Sequence, residues 1–209
     1  MDLFSLISSL VERGDPEIEQ RVQEFRSMRS KPKEDLFAEL CFCILAANTS
    51  AQMGIRVMNK VDLDHFLYSS QERLREELHR VGSRFYNTRS RFIVESRWIM
   101  DRLPSIANES DALKVMENRT YLAENLTGVG YKEASHFLRN IGHFKCAILD
   151  KHILRLMSSF VNFDPNKPIT KNKYFELERA FITMAGDLGV EPGILDLFMW
   201  KHATGRVLK

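Results

Sequence analysis

The sequence predicts an all-α protein. Three observations carry that expectation: apolar residues recur at helical spacing almost everywhere, no segment alternates apolar and polar residues as a half-buried strand does, and the Gly and Pro residues fall between the periodic runs. Internal repeats and low-complexity tracts are absent. With 209 residues, 44% of them hydrophobic, the chain can bury a substantial core in one large domain or two small ones.

The elements follow in order. Leu3, Leu6, Ile7 and Leu10 share one face of a first helix, which Gly14-Asp15-Pro16 breaks. Pro16 is suited to open a second helix, running to about Ser27. After a junction at Lys31-Pro32-Lys33, residues 34–47 form the most apolar segment and predict a helix buried on all sides. A helix over 52–60, a charged surface helix over 70–80 and a helix over 88–103 stopped by Pro104 come next. Residues 111–116 read as a short helix and residues 121–126 as another. Beyond them, Thr127-Gly128-Val129-Gly130 forms a tight turn into a helix from Tyr131 to about Asn140. Asp150 is placed to cap a helix over KHILRLM. Residues 171–187 form a helix, and Glu191-Pro192 begins the last one, which ends at Gly205.

A formal net charge of +2 excludes a general polycation, so any nucleic-acid surface must concentrate its positive charge on one face. Three cysteines, Cys41, Cys43 and Cys146, make neither a disulfide framework nor a four-cysteine iron–sulfur site. No apolar run approaches the ~20 residues of a membrane span, and the N-terminal segment lacks a basic leader and a cleavage site. The expectation is a soluble, intracellular (cytoplasmic) protein.

The turn Gly128-Val129-Gly130 has a chemical use. Its two glycines permit positive φ and remove side chains, so another backbone can approach. The amides of Val129, Gly130 and Tyr131 would lie at a helix start, where unpaired N–H groups and the positive end of the dipole favour a phosphate.

The run LTGVGYK, with Lys132 two residues past the second glycine and Asp150 ending Ala147-Ile148-Leu149-Asp150, resembles the helix-hairpin-helix DNA glycosylases. Thr127 stands where that family often has proline. The resemblance implies two helical subdomains with a cleft between them and the hairpin at its mouth: residues 33–130 in one, residues 1–32 plus 131–209 in the other. It implies a double-stranded DNA partner, and Gly128, Val129, Gly130 and Asn48 as DNA contacts, Asn48 filling the gap left by an extruded base. The alternative reading of Asn48 is a helix C-cap. A monovalent cation held by the carbonyls of Glu124, Leu126 and Val129 is the only cofactor the resemblance suggests, and a monomer is the default.

By the same resemblance Lys132 is the nucleophile that displaces the base and forms a Schiff base, after which β-elimination cuts the strand. Its amine must be free of its proton, which burial in a cleft and nearby cations favour. Asp150 either helps deprotonate the lysine or stabilises the positive sugar. The C-terminal stretch, ending in Lys209, is similar to the compact 8-oxoguanine glycosylase/lyase branch that lacks an N-terminal β domain. Phe85, Trp200, Asp196 and Lys209 are then the candidates for reading the base, with Phe85 alternatively a wedge or ordinary core. Guanine carries a lone pair at N7 where 8-oxoguanine carries N7–H, so a fixed acceptor discriminates between them. Asp196, the chain terminus or a backbone carbonyl would each serve. The competing readings are a related lyase for oxidised pyrimidines and a DNA-binding module without catalysis.

Overall fold

A computed structural model describes residues 2–209, and every regular element in that range is helical. Helices α1 (Leu3–Arg13) and α2 (Pro16–Ser27) lead into α3 (Lys33–Ala46). The middle of the chain supplies α4 (Ala51–Met58), α5 (Leu63–Tyr68), α6 (Gln71–Arg80), α7 (Tyr86–Ser96), a 3-10 segment (Arg97–Arg102), α8 (Leu103–Ala107) and α9 (Ala112–Asn125). Then come α10 (Tyr131–Asn140), α11 (Lys151–Met157), α12 (Lys171–Asp187) and α13 (Pro192–Thr204).

Local chemistry explains most boundaries. Asp15 caps α2 by accepting from the amides of Glu17 and Ile18, and Pro16 supplies the preset φ of the first turn. Thr170 accepts from the Lys173 amide to start α12. Gly205, at φ +74°, ends α13 in the left-handed conformation. Three boundaries differ from expectation. Pro104 does not simply stop a helix; it occupies the first turn of α8, where its missing N–H costs nothing. The helix before it tightens into 3-10 turns over Arg97–Arg102. The two short runs expected at 111–116 and 121–126 are one helix, α9, because Val115, Arg119 and Leu122 bury one continuous face. The six-residue α5 carries too few residues to show a period.

The first core is built round α3. Leu36, Phe37, Leu40, Cys41, Phe42, Cys43, Ile44 and Leu45 are all buried, as the apolar composition of the segment predicts. Each large side chain among them contributes about 1.5–3 kcal/mol by leaving water. A second core joins Ile7 of α1 to Leu149, Ile153, Leu177, Phe181, Leu195 and Met199. A third sets Ile18, Val22 and Phe25 of α2 against Leu197 and Phe198 of α13. The two chain ends thus pack together. The border expected at residue 130 falls later, however: Ala134, Phe137, Leu138, Ile141 and Cys146 bury themselves in the first core. The physical reason is that α10 pairs with α9 across the tight turn and lies against α3.

One buried ion pair ties the halves together. Arg119 of α9 donates to Glu178 of α12, and both residues are 3% exposed. Removing one partner strands the other charge away from water, so Glu178→Ala is expected to cost about 3–5 kcal/mol. Urea unfolding monitored by circular dichroism measures it; a loss under about 1 kcal/mol would show that the pair does not hold the halves together.

Among the described residues no helix is long and apolar enough to cross a membrane. All three cysteines are buried free thiols.

Candidate active site

The hairpin between α9 and α10 needs glycine twice, for different reasons. Gly128 has φ +80°, and a Cβ there would fall 2.0 Å from Phe92 Cδ2. Gly130 does not use positive φ, contrary to expectation: it is extended, at φ −95° and ψ −175°, and occupies the N-cap position of α10. Its N–H donates to Glu133 Oε2 at 3.2 Å. Val129 N–H donates to the Leu126 carbonyl at 3.3 Å, which closes the turn.

Beside the hairpin opens a cavity of about 520 Å³, lined by both halves of the chain. This lies within the ~300–1,000 Å³ usual for small-molecule sites. From α10 come Lys132, His136 and Arg139; from the entry to α11, Ile148, Asp150 and His152. The loop after α3 supplies Asn48, helix α13 supplies Asp196 and Trp200, and the last residues supply Leu208 and Lys209.

Lys132 and Asp150 therefore share one cavity although 18 positions separate them in the chain. The ion partner of the Lys132 amine is Glu133 Oε1, at 3.0 Å. Asp150 is oriented by three donors. Oδ1 accepts from the amides of His152 (2.8 Å) and Ile153 (2.9 Å), capping α11, and Oδ2 accepts from Trp200 Nε1 at 3.2 Å. The cap and the site use the same carboxylate, and the indole is fixed by it.

The structure redistributes the base-reading candidates. Trp200 lines the cavity, with its ring 6.1 Å from that of His152. Asp196 also lines it, but as a buried group, 2% exposed, whose Oδ2 accepts from Arg139 Nη1. Burial pushes its carboxyl up to about 7, against the pull of the Arg139 guanidinium. That oxygen is not a free acceptor. The Lys209 ammonium is likewise engaged, donating to Glu39 Oε1. Phe85 lies outside the cavity. It is 48% exposed, holds φ +58°, and has the Arg84 and Arg89 guanidinium carbons 5.0 and 5.8 Å from its ring centroid. An exposed aromatic in a left-handed turn is not part of the core. Asn48 is also left-handed, at φ 54°, one residue past the C-cap of α3.

Arg89 is 5% exposed; it donates to the Ala47 carbonyl and so pins the Asn48 loop to α7. Sequence reasoning missed His136, one helical turn beyond Lys132 on the same face. Its ring is held neutral by burial first, and by the nearby cations Arg139 and Lys132.

A glycine hairpin leading into a helix that lines a two-sided cavity, with a lysine and a capping aspartate in that cavity, fits the helix-hairpin-helix DNA glycosylases. The family model described as 8-oxoguanine DNA glycosylase matches residues 18–190. The chain belongs to that family. The 8-oxoguanine DNA glycosylase/AP lyase of Thermoplasma acidophilum is 48% identical over 192 residues, covering 92% of this chain and 91% of the relative. The crystal structure of the 8-oxoguanine DNA glycosylase of Thermotoga maritima superposes with a TM-score of 0.89 at 37% identity, covering 99% of this chain and 98% of that one. The Methanocaldococcus jannaschii 8-oxoguanine glycosylase/lyase, crystallised with a 15mer DNA containing 8-oxoguanine, gives 0.89 at 37% identity with both chains fully covered.

Proposed function

We propose that this chain extrudes 8-oxoguanine from duplex DNA, releases it, and nicks the strand at the resulting abasic site. The observation that carries this reading is the meeting of Lys132 and Asp150 in one cavity beside the hairpin. The Lys132 amine attacks C1′ as the C1′–N9 bond breaks, and the base leaves with the bonding pair and gains a proton. The attached nitrogen then loses a proton as the C1′–O4′ bond opens and O4′ takes a proton, which gives the iminium; this gives up a C2′ proton, and the 3′-phosphate leaves by β-elimination. Water then frees the lysine. The Asp150 carboxylate, held by the α11 amides and the indole, supplies negative charge where the sugar becomes positive.

The hairpin takes a DNA phosphate at the start of α10. A monovalent cation held by the carbonyls of Glu124, Leu126 and Val129 would add charge there. The Leu126 carbonyl already accepts from the Val129 amide and keeps one lone pair for such an ion. The enzyme acts as a monomer.

Duplexes carrying a single 8-oxoguanine, thymine glycol or guanine test the substrate class. Excision of 8-oxoguanine is expected to exceed that of the other two by on the order of 10²-fold or more, since a site built round the base's hydrogen bonds leaves buried polar groups unpaired with the wrong one. A faster reaction on thymine glycol would move the assignment to oxidised pyrimidines, and binding without release of any base would leave only a DNA-binding module.

A further inference from the structure

A chain of buried polar groups runs alongside the cavity and joins four parts of the fold. Lys209 Nζ donates to Glu39 Oε1, and Asn140 Nδ2 donates to Glu39 Oε2 at 3.1 Å. Arg139 Nε and Nη2 donate to Asn140 Oδ1 at 3.3 and 3.2 Å, and Arg139 Nη1 donates to Asp196 Oδ2. Glu39, Arg139, Asn140 and Asp196 are each 7% exposed or less. Two cations meet two carboxylates, so each buried charge has an opposite partner.

The arrangement decides which part of Lys209 the cavity receives. Glu39 is a buried residue of α3 and is not among the cavity's lining residues, whereas Leu208 and Lys209 are. The ammonium is drawn out of the site toward Glu39 and lies 5.5 Å from the Phe42 ring centroid. The Lys209 main chain stays at the cavity, beside the neutral His136 ring. Asp196 Oδ2 is given to Arg139, and the main chain of Lys209 brings a second acceptor to the cavity.

We propose that Glu39 is a positioning residue for base discrimination: by clamping the Lys209 ammonium it sets the Lys209 main-chain oxygen where it accepts from N7–H of 8-oxoguanine. Guanine presents a lone pair to the same oxygen and is rejected. Glu39 touches neither base nor sugar and acts through Lys209. This inference rests on the 8-oxoguanine reading above.

The experiment compares single-turnover excision of 8-oxoguanine and guanine by wild type, Glu39→Gln, Glu39→Asp, Lys209→Met and the Glu39→Gln/Lys209→Met double variant, each checked by thermal melting. Glu39→Gln keeps the size and the Asn140 contact and removes the charge. Its 8-oxoguanine-to-guanine ratio is expected to fall on the order of tenfold to a hundredfold, as a displacement of about 1 Å would produce. Glu39→Asp, which keeps the charge, retains more of the ratio. Lys209→Met falls equally, and the double variant falls no further, because both changes open one clamp. An unchanged ratio in Glu39→Gln, or a double variant that loses the product of the two single losses, overturns the proposal. Should Glu39→Gln melt below the assay temperature, Lys209→Met decides alone, and an unchanged ratio there overturns it too. A wild type that does not excise 8-oxoguanine at all refutes the proposed function, and the positioning role with it. A wild type that excises it while Glu39→Gln keeps its selectivity refutes the positioning role only.

Discussion

Lys132→Gln is expected to form no covalent adduct when borohydride is added to a reaction with 8-oxoguanine duplex, whereas the wild type is trapped. Borohydride reduces the imine between lysine and C1′, so the adduct reports that bond and nothing else. Glutamine is nearly as long but its amide nitrogen is not a nucleophile. Base release should slow by on the order of 10³-fold or more, a loss of about 4 kcal/mol in transition-state stabilisation. The fold should tolerate the change. The lysine side chain is 26% exposed, and its one ion pair, to Glu133, leaves that carboxylate still accepting from the Gly130 amide. An adduct that persists in Lys132→Gln would place the nucleophile elsewhere, and the catalytic assignment would have to be withdrawn.

Asp150→Asn carries the second large effect. Asparagine is as good an N-cap as aspartate, and its one carbonyl oxygen can still accept from the His152 and Ile153 amides. The lost contact is the one from Trp200 Nε1, because an NH₂ group cannot accept. Stability should therefore change by no more than about 1 kcal/mol. Excision should fall by on the order of 10²–10³-fold, the usual effect of removing one electrostatic stabiliser of a developing charge. Single-turnover kinetics with a melting curve on the same sample separates the two effects. A drop in rate that tracks a collapsed melting temperature would reduce Asp150 to a helix cap. If DNA binding persists while release is slow, the carboxylate acts in the chemistry. Adding the reaction's pH profile then separates proton transfer from charge stabilisation: a general base imposes a titrating limb that vanishes in the asparagine variant.

Local features of the chain were legible before any coordinates. The caps at Asp15 and Asp150, the helix starts at Pro16 and Pro192, the stop at Gly205 and the turn at Gly128 depend on contacts only a few positions apart. The buried character of α3 was legible because the apolar run from Leu40 to Ala47 has no polar face to turn toward water. Less legible were elements whose pattern is short or shared. The six residues of α5 show no period, and α9 reads as two pieces until its partners reveal one continuous buried face.

For the site, amino-acid order alone determined a glycine turn followed by a lysine and then a helix-capping aspartate. It also bounded the chemistry by excluding a four-cysteine cluster and a general polycation. Tertiary structure decided what each charged group faces. Arg139 and Asp196 meet across 57 positions, and Lys209 and Glu39 across 170. Nothing in a local window tells such a buried pair from two solvated side chains. Folding gave Asp196 Oδ2 to Arg139, left Phe85 exposed outside the cavity, and turned Arg89 inward to hold the Asn48 loop. The reason is that a buried charge must find an opposite partner or a carbonyl, and which partner lies within reach is settled by how the helices pack.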